Sequence, residues 1–346
     1  MYRIFLSAIV LILVASACDA QTADSGTQSP SETITPFDNA RTLAGKGRLD
    51  QAMVVLDQLA AESPEPAGVE RLRGIIFYQR DQLQQAVDAF TKAAAQDPND
   101  RESIEMHGVS LFRLGHSPEA IPFLEQAHAV VESANVEPQY VLGLCYTDAG
   151  RYDDARHAFA AQYGFAGDSA EAHLLAGRLF LRREFRDQAT VQAGKALAIN
   201  PALPLAHELL GEVELARGDV PAAIREFEAE RKINPLNGEL YDRLGDAYLR
   251  GGQFVEAQQA LNRAVLLEPN STGPYILLGQ TFLKLKQPIQ ALHYLTRAEK
   301  MDPSNYVTHN LLGQAYKATG QIAEANRQFQ RVVDLQHQGD PKPAGK

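Results

Sequence analysis

Cysteine is nearly missing from this 346-residue chain, which has only Cys18 and Cys145. A disulfide framework is therefore excluded as its source of stability. Basic residues are also short, 33 against 43 acidic for a formal charge of −10, so no nucleic-acid footprint is expected. The apolar run from Ile4 to Val14 falls short of the roughly 20 residues that a bilayer-spanning helix needs. Motifs of catalysis are lacking too. His207-Glu208-Leu209-Leu210-Gly211 begins like a zinc-protease helix but has Gly where the second His is required. Gly251-Gly252 is followed by no Gly-Lys-Ser or Gly-Lys-Thr, and Asp153-Asp154 fits a helix start, where acids favour the dipole. No catalytic, cofactor-binding or metal-binding residues are expected.

What is present is a repeat. Pro201, Pro235, Pro269 and Pro303 stand 34 residues apart, and Gly177, Gly211, Gly245 and Gly279 keep the same interval. The Gly series extends back to Gly143, Gly108 and Gly74 and forward to Gly313, with one residue inserted near Asn135. Ala follows each Gly by twelve residues, from Ala86 to Ala325, and one step further upstream Ala52 pairs with Ala40 in place of the Gly. A period this strict marks an array of copied units. Nine result: 33–66, 67–100, 101–134, 136–169, 170–203, 204–237, 238–271, 272–305 and 306–339.

Each unit reads as two helices and a tight turn. In 238–271, Tyr241, Leu244, Gly245 and Tyr248 fall on one helical face, and Ala257, Leu261, Ala264 and Val265 on a second. Gly252 terminates the first helix, a role repeated by Gly47, Gly115, Gly150, Gly218 and Gly320 and taken by Asp81, Glu184 and Lys286 elsewhere. A mid-helix Gly costs about 1 kcal/mol relative to Ala, so something must offset it. The expected source is close approach of the partner helix at its small Ala, with Phe90, Phe159, Phe227, Leu261, Leu295 and Phe329 filling the space beside it. His173 and His207 share a repeat position with Tyr241 and Tyr275, which marks a packing site rather than a metal pair. Cys145, inside a first helix, reads as packing too.

The unit resembles the tetratricopeptide repeat: large residue, Leu-Gly, aromatic, then Ala, aromatic or Leu, Ala and Pro, as in Tyr275, Leu278, Gly279, Phe282, Ala291, Leu295, Ala298 and Pro303. The likeness covers residues 33–339. It implies an all-α fold, an α-solenoid of about nine stacked helix-turn-helix units forming a superhelix. Departures are local: 101–134 and 136–169 lack the closing Pro, and 33–66 lacks the Gly and carries Pro36. Its first unit is then either distorted or begins its helix only after Pro36.

The ends of the chain read differently. Arg3 and the apolar run to Val14 have the form of a signal peptide, 1–17, and Ala15-Ser16-Ala17-Cys18 resembles the bacterial lipobox in which the Cys is lipidated. Ordinary cleavage after Ala17 or Ala20 is the alternative. Residues 18–32, without aromatic or large aliphatic side chains after Cys18, read as a flexible tether. Residues 340–346 form a polar tail. No capping helix follows the last unit, whose outer face is made tolerable to water by Gln321, Glu324, Arg327, Gln328 and Arg331.

The resemblance further implies a concave groove, lined by first helices, that binds a protein or peptide segment. Its candidate positions are Arg71, Tyr78, Glu105, Phe112, Arg113, Tyr140, Arg178, Arg182, Glu208, Glu212, Glu239, Asp242, Asp246, Arg250, Gln280, Lys284, Asn310, Gln314 and Lys317. Glu208, Glu212, Glu239, Asp242 and Asp246 form an acidic section over two adjacent units, suited to a basic partner segment. The chain is thus expected to be a non-enzymatic interaction scaffold of the bacterial envelope, membrane-anchored and facing the periplasm. Assembly of a secretion, pilus or outer-membrane complex is the narrower expectation. The alternative is an accessory or substrate-recognition subunit of a separate envelope enzyme, such as a glycosyltransferase or peptidase. No nucleic acid and no small-molecule substrate is expected.

Overall fold

The computed structural model describes residues 35–128 and 138–339. The signal peptide, the lipidation site Cys18, the tether, the insertion near Asn135 and the polar tail lie outside them. The chain divides into two compact units, residues 1–164 and 165–346.

The first holds four helix pairs: α1 Pro36–Gly45 with α2 Leu49–Ala60, α3 Val69–Gln79 with α4 Leu83–Gln96, α5 Arg101–Arg113 with α6 Ser117–His128, and α7 Pro138–Asp148 with α8 Tyr152–Gln162. The second holds five: α9 Ala170–Arg182 with α10 Arg186–Ile199, α11 Ala206–Arg217 with α12 Val220–Ile233, α13 Gly238–Arg250 with α14 Phe254–Leu267, α15 Thr272–Lys284 with α16 Pro288–Met301, and α17 Tyr306–Ala318 with α18 Ile322–Gly339. No strand occurs among the described residues. Odd-numbered helices are the first of each pair.

Helix α1 begins at Pro36 itself, not after it. Thr35 caps the helix by accepting the Asp38 N–H at 3.1 Å. Proline at the first helical position loses nothing, because its missing N–H would have had no partner there.

The turn inside every pair passes through a left-handed residue. Six are glycines; Asp81 (φ 62°), Glu184 (φ 66°) and Lys286 (φ 59°) adopt the same conformation despite their Cβ. The repeat imposes this backbone on whatever residue stands there, which is how the turn tolerates substitution.

The mid-helix Gly is held open by a different residue from the one expected. A Cβ on Gly74 would lie 2.6 Å from the Phe90 ring, and Gly143, Gly211, Gly245, Gly279 and Gly313 meet Phe159, Phe227, Leu261, Leu295 and Phe329 in the same way. The close approach comes from the large side chain four residues after the Ala. The Ala is buried because it carries that side chain's helix near. In the pair α9–α10 the large residue is missing: Ala193 occupies its place, and Leu209 of α11 reaches back to within 2.8 Å of the Gly177 Cβ position.

Buried clusters are local and shared between neighbouring pairs. One joins Ala223 and Phe227 of α12 to Leu240, Tyr241, Leu244 and Ala247 of α13 and Ala260 and Ala264 of α14. Another joins Leu261 of α14 to Leu278, Leu295, Leu311 and Leu312. Such nearest-neighbour burial is how a repeat array gains stability. Within each unit, second helices touch the first helix of the next pair, and first helices also meet: α1 with α3, α3 with α5, α5 with α7, α9 with α11, α13 with α15 and α15 with α17, while α11 and α13 are linked through Arg243 to Glu208 and Glu212. Each unit therefore has a continuous face made of first helices. At the end of the second unit, Gln328 turns inward to His309 (2.6 Å) and Glu299 (3.0 Å) instead of lying on the water-facing side of α18.

Candidate interaction surface

The shared His and Tyr position acts as a staple. Nδ1 of His173, His207 and His309 meets Gln192, Glu226 and Gln328 on the second helix of the same pair, at 2.5, 2.7 and 2.6 Å. The Tyr275 hydroxyl donates to the Pro269 carbonyl at 3.1 Å, and His309 Nε2 donates to the Pro303 carbonyl at 2.9 Å. These imidazoles face their own pair's side chains, as packing requires. Cys145 is buried.

On the first-helix face of residues 1–164, several groove candidates are engaged by side chains of the chain itself. Arg71 reaches Asp100 at 3.2 Å and Glu102 at 3.6 Å. Tyr78 is only 3% exposed, under the Arg113 guanidinium, which stands 4.7 Å from its ring centroid and pairs with Asp81 at 2.6 Å. A partner cannot reach that ring, so Tyr78 is withdrawn from the groove. Phe112 and Glu105 are half-buried, and Tyr140, also half-buried, packs 5.8 Å from Phe159.

Residues 165–346 hold the charged section. Here the structure changes the expectation substantially. Glu208 is 2% exposed, not a solvated groove acid. It lies between Arg178 (3.4 Å) and Arg243 (3.6 Å) and accepts from Asn237 Nδ2 at 2.9 Å. Burial pushes its carboxyl above the usual range, and Arg243 and Arg178 partly restore it. Arg243 also binds Glu212 and Glu239. Asp246 pairs with Arg250 at 2.7 Å. Four of the five acids thus already have cationic partners, and the open acidic section shrinks to Asp242. Burial raises the Asp242 carboxyl to about 6, with Asp246 adding repulsion, and its Oδ1 is buried without a hydrogen-bond partner.

Arg243 is the residue that the sequence reading missed. Its signal was available, because Glu239 and Arg243 are spaced i, i+4 on one helix. Its reach across to Glu208 and Glu212 depends on how α11 and α13 pack, and no linear spacing reports that. Arg182, Lys284, Asn310, Gln314 and Lys317 are exposed, and Gln280 is half-buried.

Two family models described as tetratricopeptide repeat match residues 37–101 and 174–238, and 214–279 and 282–344. The model of the anaphase-promoting complex, cyclosome, subunit 3 matches residues 79–162. The chain belongs to the tetratricopeptide repeat family. Among solved structures it is similar to MamA from Desulfovibrio magneticus RS-1 (22% identity, 50% of this chain and 98% of that one, TM-score 0.48). It is also similar to YrrB, described as a TPR protein with an unusual peptide-binding site (21% identity, 53% and 95%, TM-score 0.47). A third is PilF of Pseudomonas aeruginosa (23% identity, 50% and 77%, TM-score 0.44). None reaches a TM-score of 0.5, so the family rests on the repeat models and the repeat itself. No curated protein matches the chain.

Proposed function

We propose that this chain is a non-enzymatic scaffold that binds a segment of a partner protein along its first-helix face. The observation that carries the reading is the continuity of that face in residues 165–346, where the side chains change from an internally paired charge network around Arg243 to exposed Lys, Gln and Asn on α15 and α17. Asp242 Oδ1 has no hydrogen-bond partner within the chain but is buried, so a basic residue of the segment finds no open acid there. The pattern of residues 1–17 and Cys18 supports export and lipid anchoring at a bacterial membrane, facing the periplasm, and assembly of a secretion, pilus or outer-membrane complex is the narrower proposal.

Site-specific photocrosslinking tests it. A photoreactive residue placed at Gln280 on α15, or at Val255 on the exposed side of α14, is activated in intact cells carrying the full chain, and adducts are identified by mass spectrometry. The scaffold reading expects one recurrent protein adduct from position 280 and none from 255. Adducts from 255 alone would remove it.

A further inference from the structure

Charge is distributed unevenly along the first helices of residues 165–346. All five end in a cation: Arg182, Arg217, Arg250, Lys284 and Lys317. The helix dipole favours a cation at any helix C-terminus, and the second helices α12 and α16 have them too, Arg231, Lys232 and Lys300, whereas α10 and α14 have none in their last turn and neither do the first helices α1, α3 and α7. In this unit every first helix has one in its last turn.

Within the row the surroundings differ. Arg217 is taken up by Asp187 (2.7 Å) and Glu214 (2.9 Å), and Arg250 by Asp246. At α15 and α17 the acids disappear. Their sequences, TGPYILLGQTFLK and YVTHNLLGQAYKA, contain no Asp or Glu. The place directly after the repeat Gly, Glu212 in α11 and Asp246 in α13, becomes Gln280 and Gln314. Lys284 and Lys317 stand exposed on two helices that touch each other. Gln314 donates to Asn310 at 3.0 Å, which leaves N–H donors on Asn310 and an acceptor on Gln314.

We propose that this acid-free face of α15 and α17 docks an extended acidic segment of a protein partner. Lys284 and Lys317 each take one carboxylate, and Gln280, Asn310 and Gln314 meet the backbone between them. The inference rests on the scaffold reading and supplies the partner's chemistry. Packed helices lie about 8–10 Å apart, and an extended polyproline II chain advances about 3.1 Å per residue with three residues per turn, which puts every third side chain on one side. Carboxylates three residues apart therefore reach successive lysines. Amides that both donate and accept match a peptide backbone, whereas a lipid headgroup surface offers mainly acceptors to lysine.

The test uses the full chain and fluorescein-labelled extended peptides with Glu at every third position, against otherwise identical Gln and Lys peptides, read by fluorescence anisotropy. The Glu peptide should bind tightest and weaken as salt rises. The double variant Lys284→Glu, Lys317→Glu should lose about tenfold or more, while Lys284→Arg, Lys317→Arg keeps binding and Asp242→Asn leaves it unchanged. Circular dichroism confirms that these surface variants stay folded. Equal affinity for the Gln peptide overturns the proposal, as does Glu-peptide binding indifferent to the charge reversal, or lysine-dependent binding seen only with phosphatidylserine vesicles. If the Gln280 crosslink persists in the reversed variant, the acidic segment fails and the scaffold stands; if no first-helix position crosslinks, both fail.

Discussion

A glycine inside a helix is weak by propensity, and in this chain each repeat glycine from Gly74 to Gly313 faces a specific large neighbour. Gly279→Ala would gain about 1 kcal/mol of helix propensity but drive a Cβ into Leu295, and overpacking costs about 1–3 kcal/mol. The net expectation is a loss of up to about 2 kcal/mol in urea titration. Gly194 in α10 has nothing within 4 Å of its Cβ position, so Gly194→Ala should stabilise by about 0.5–1 kcal/mol. The same chemical change thus has opposite signs at two helix interiors. Asp242 makes a second residue-scale case. Its carboxyl is raised from 3.8 to about 6 by burial and by Asp246, so the folded state resists ionisation more than the unfolded chain does. The native protein carries that penalty in full above pH 6 and sheds it as pH falls toward 3.8. Asp242→Asn should therefore stabilise by about 1–2 kcal/mol at pH 7.5, discounted for partial exposure, with the gain fading below pH 6 and gone near pH 4. Thermal melts at several pH values read this directly, and a pH-independent gain would contradict it.

Among elements, α9, α11 and α13 are joined by charge as well as by apolar contact. Glu208 on α11 is buried between Arg178 of α9 and Arg243 of α13. Removing one member of a buried ion network leaves the remainder uncompensated, typically at about 3–5 kcal/mol. Arg243→Met is expected to cost about 3 kcal/mol near neutral pH in denaturant titration, since Glu208, Glu212 and Glu239 all lose a partner. The loss should shrink in mild acid, where the raised carboxyl of Glu208 takes up a proton and no longer needs a cation. Adding Glu208→Gln to the Arg243→Met chain should recover part of the stability at neutral pH. The turns show the same dominance of neighbour over residue. Asp81, Glu184 and Lys286 are held left-handed because the two helices on either side leave no other path.

At the scale of the whole molecule, stability is a sum of neighbour terms, because buried clusters such as that of Leu261, Leu278, Leu295 and Leu312 are built from contacts between successive pairs. Deleting residues 272–305 joins two units in register and restores a similar contact, so cooperative thermal unfolding by circular dichroism should survive with a modest fall in midpoint. Deleting residues 272–288 removes α15 alone, strips the cover from α14 and α17, and should abolish the cooperative transition of that region. Equal loss in both would count against nearest-neighbour stacking.

The architecture was legible because it is periodic. Helix pairs, left-handed turns and buried Gly and Ala positions recur at one interval, and each depends on neighbours within about 20 residues, so Gly252, Ala257 and Leu261 announce their roles by spacing alone. The surface was legible only in part. Lys284, Asn310, Gln314 and Lys317 are exposed and Gln280 is half-buried, as side chains on a first-helix face can be. Tyr78 and Glu208 do not stay open, because Arg113 and Arg243 arrive from the next unit to cover them. Sequence by itself determined the fold, since apolar periodicity is a local property repeated along the chain. Only the tertiary structure decided which charges remain free for a partner, because pairing between side chains some 30 residues apart depends on distances of a few ångströms between packed helices.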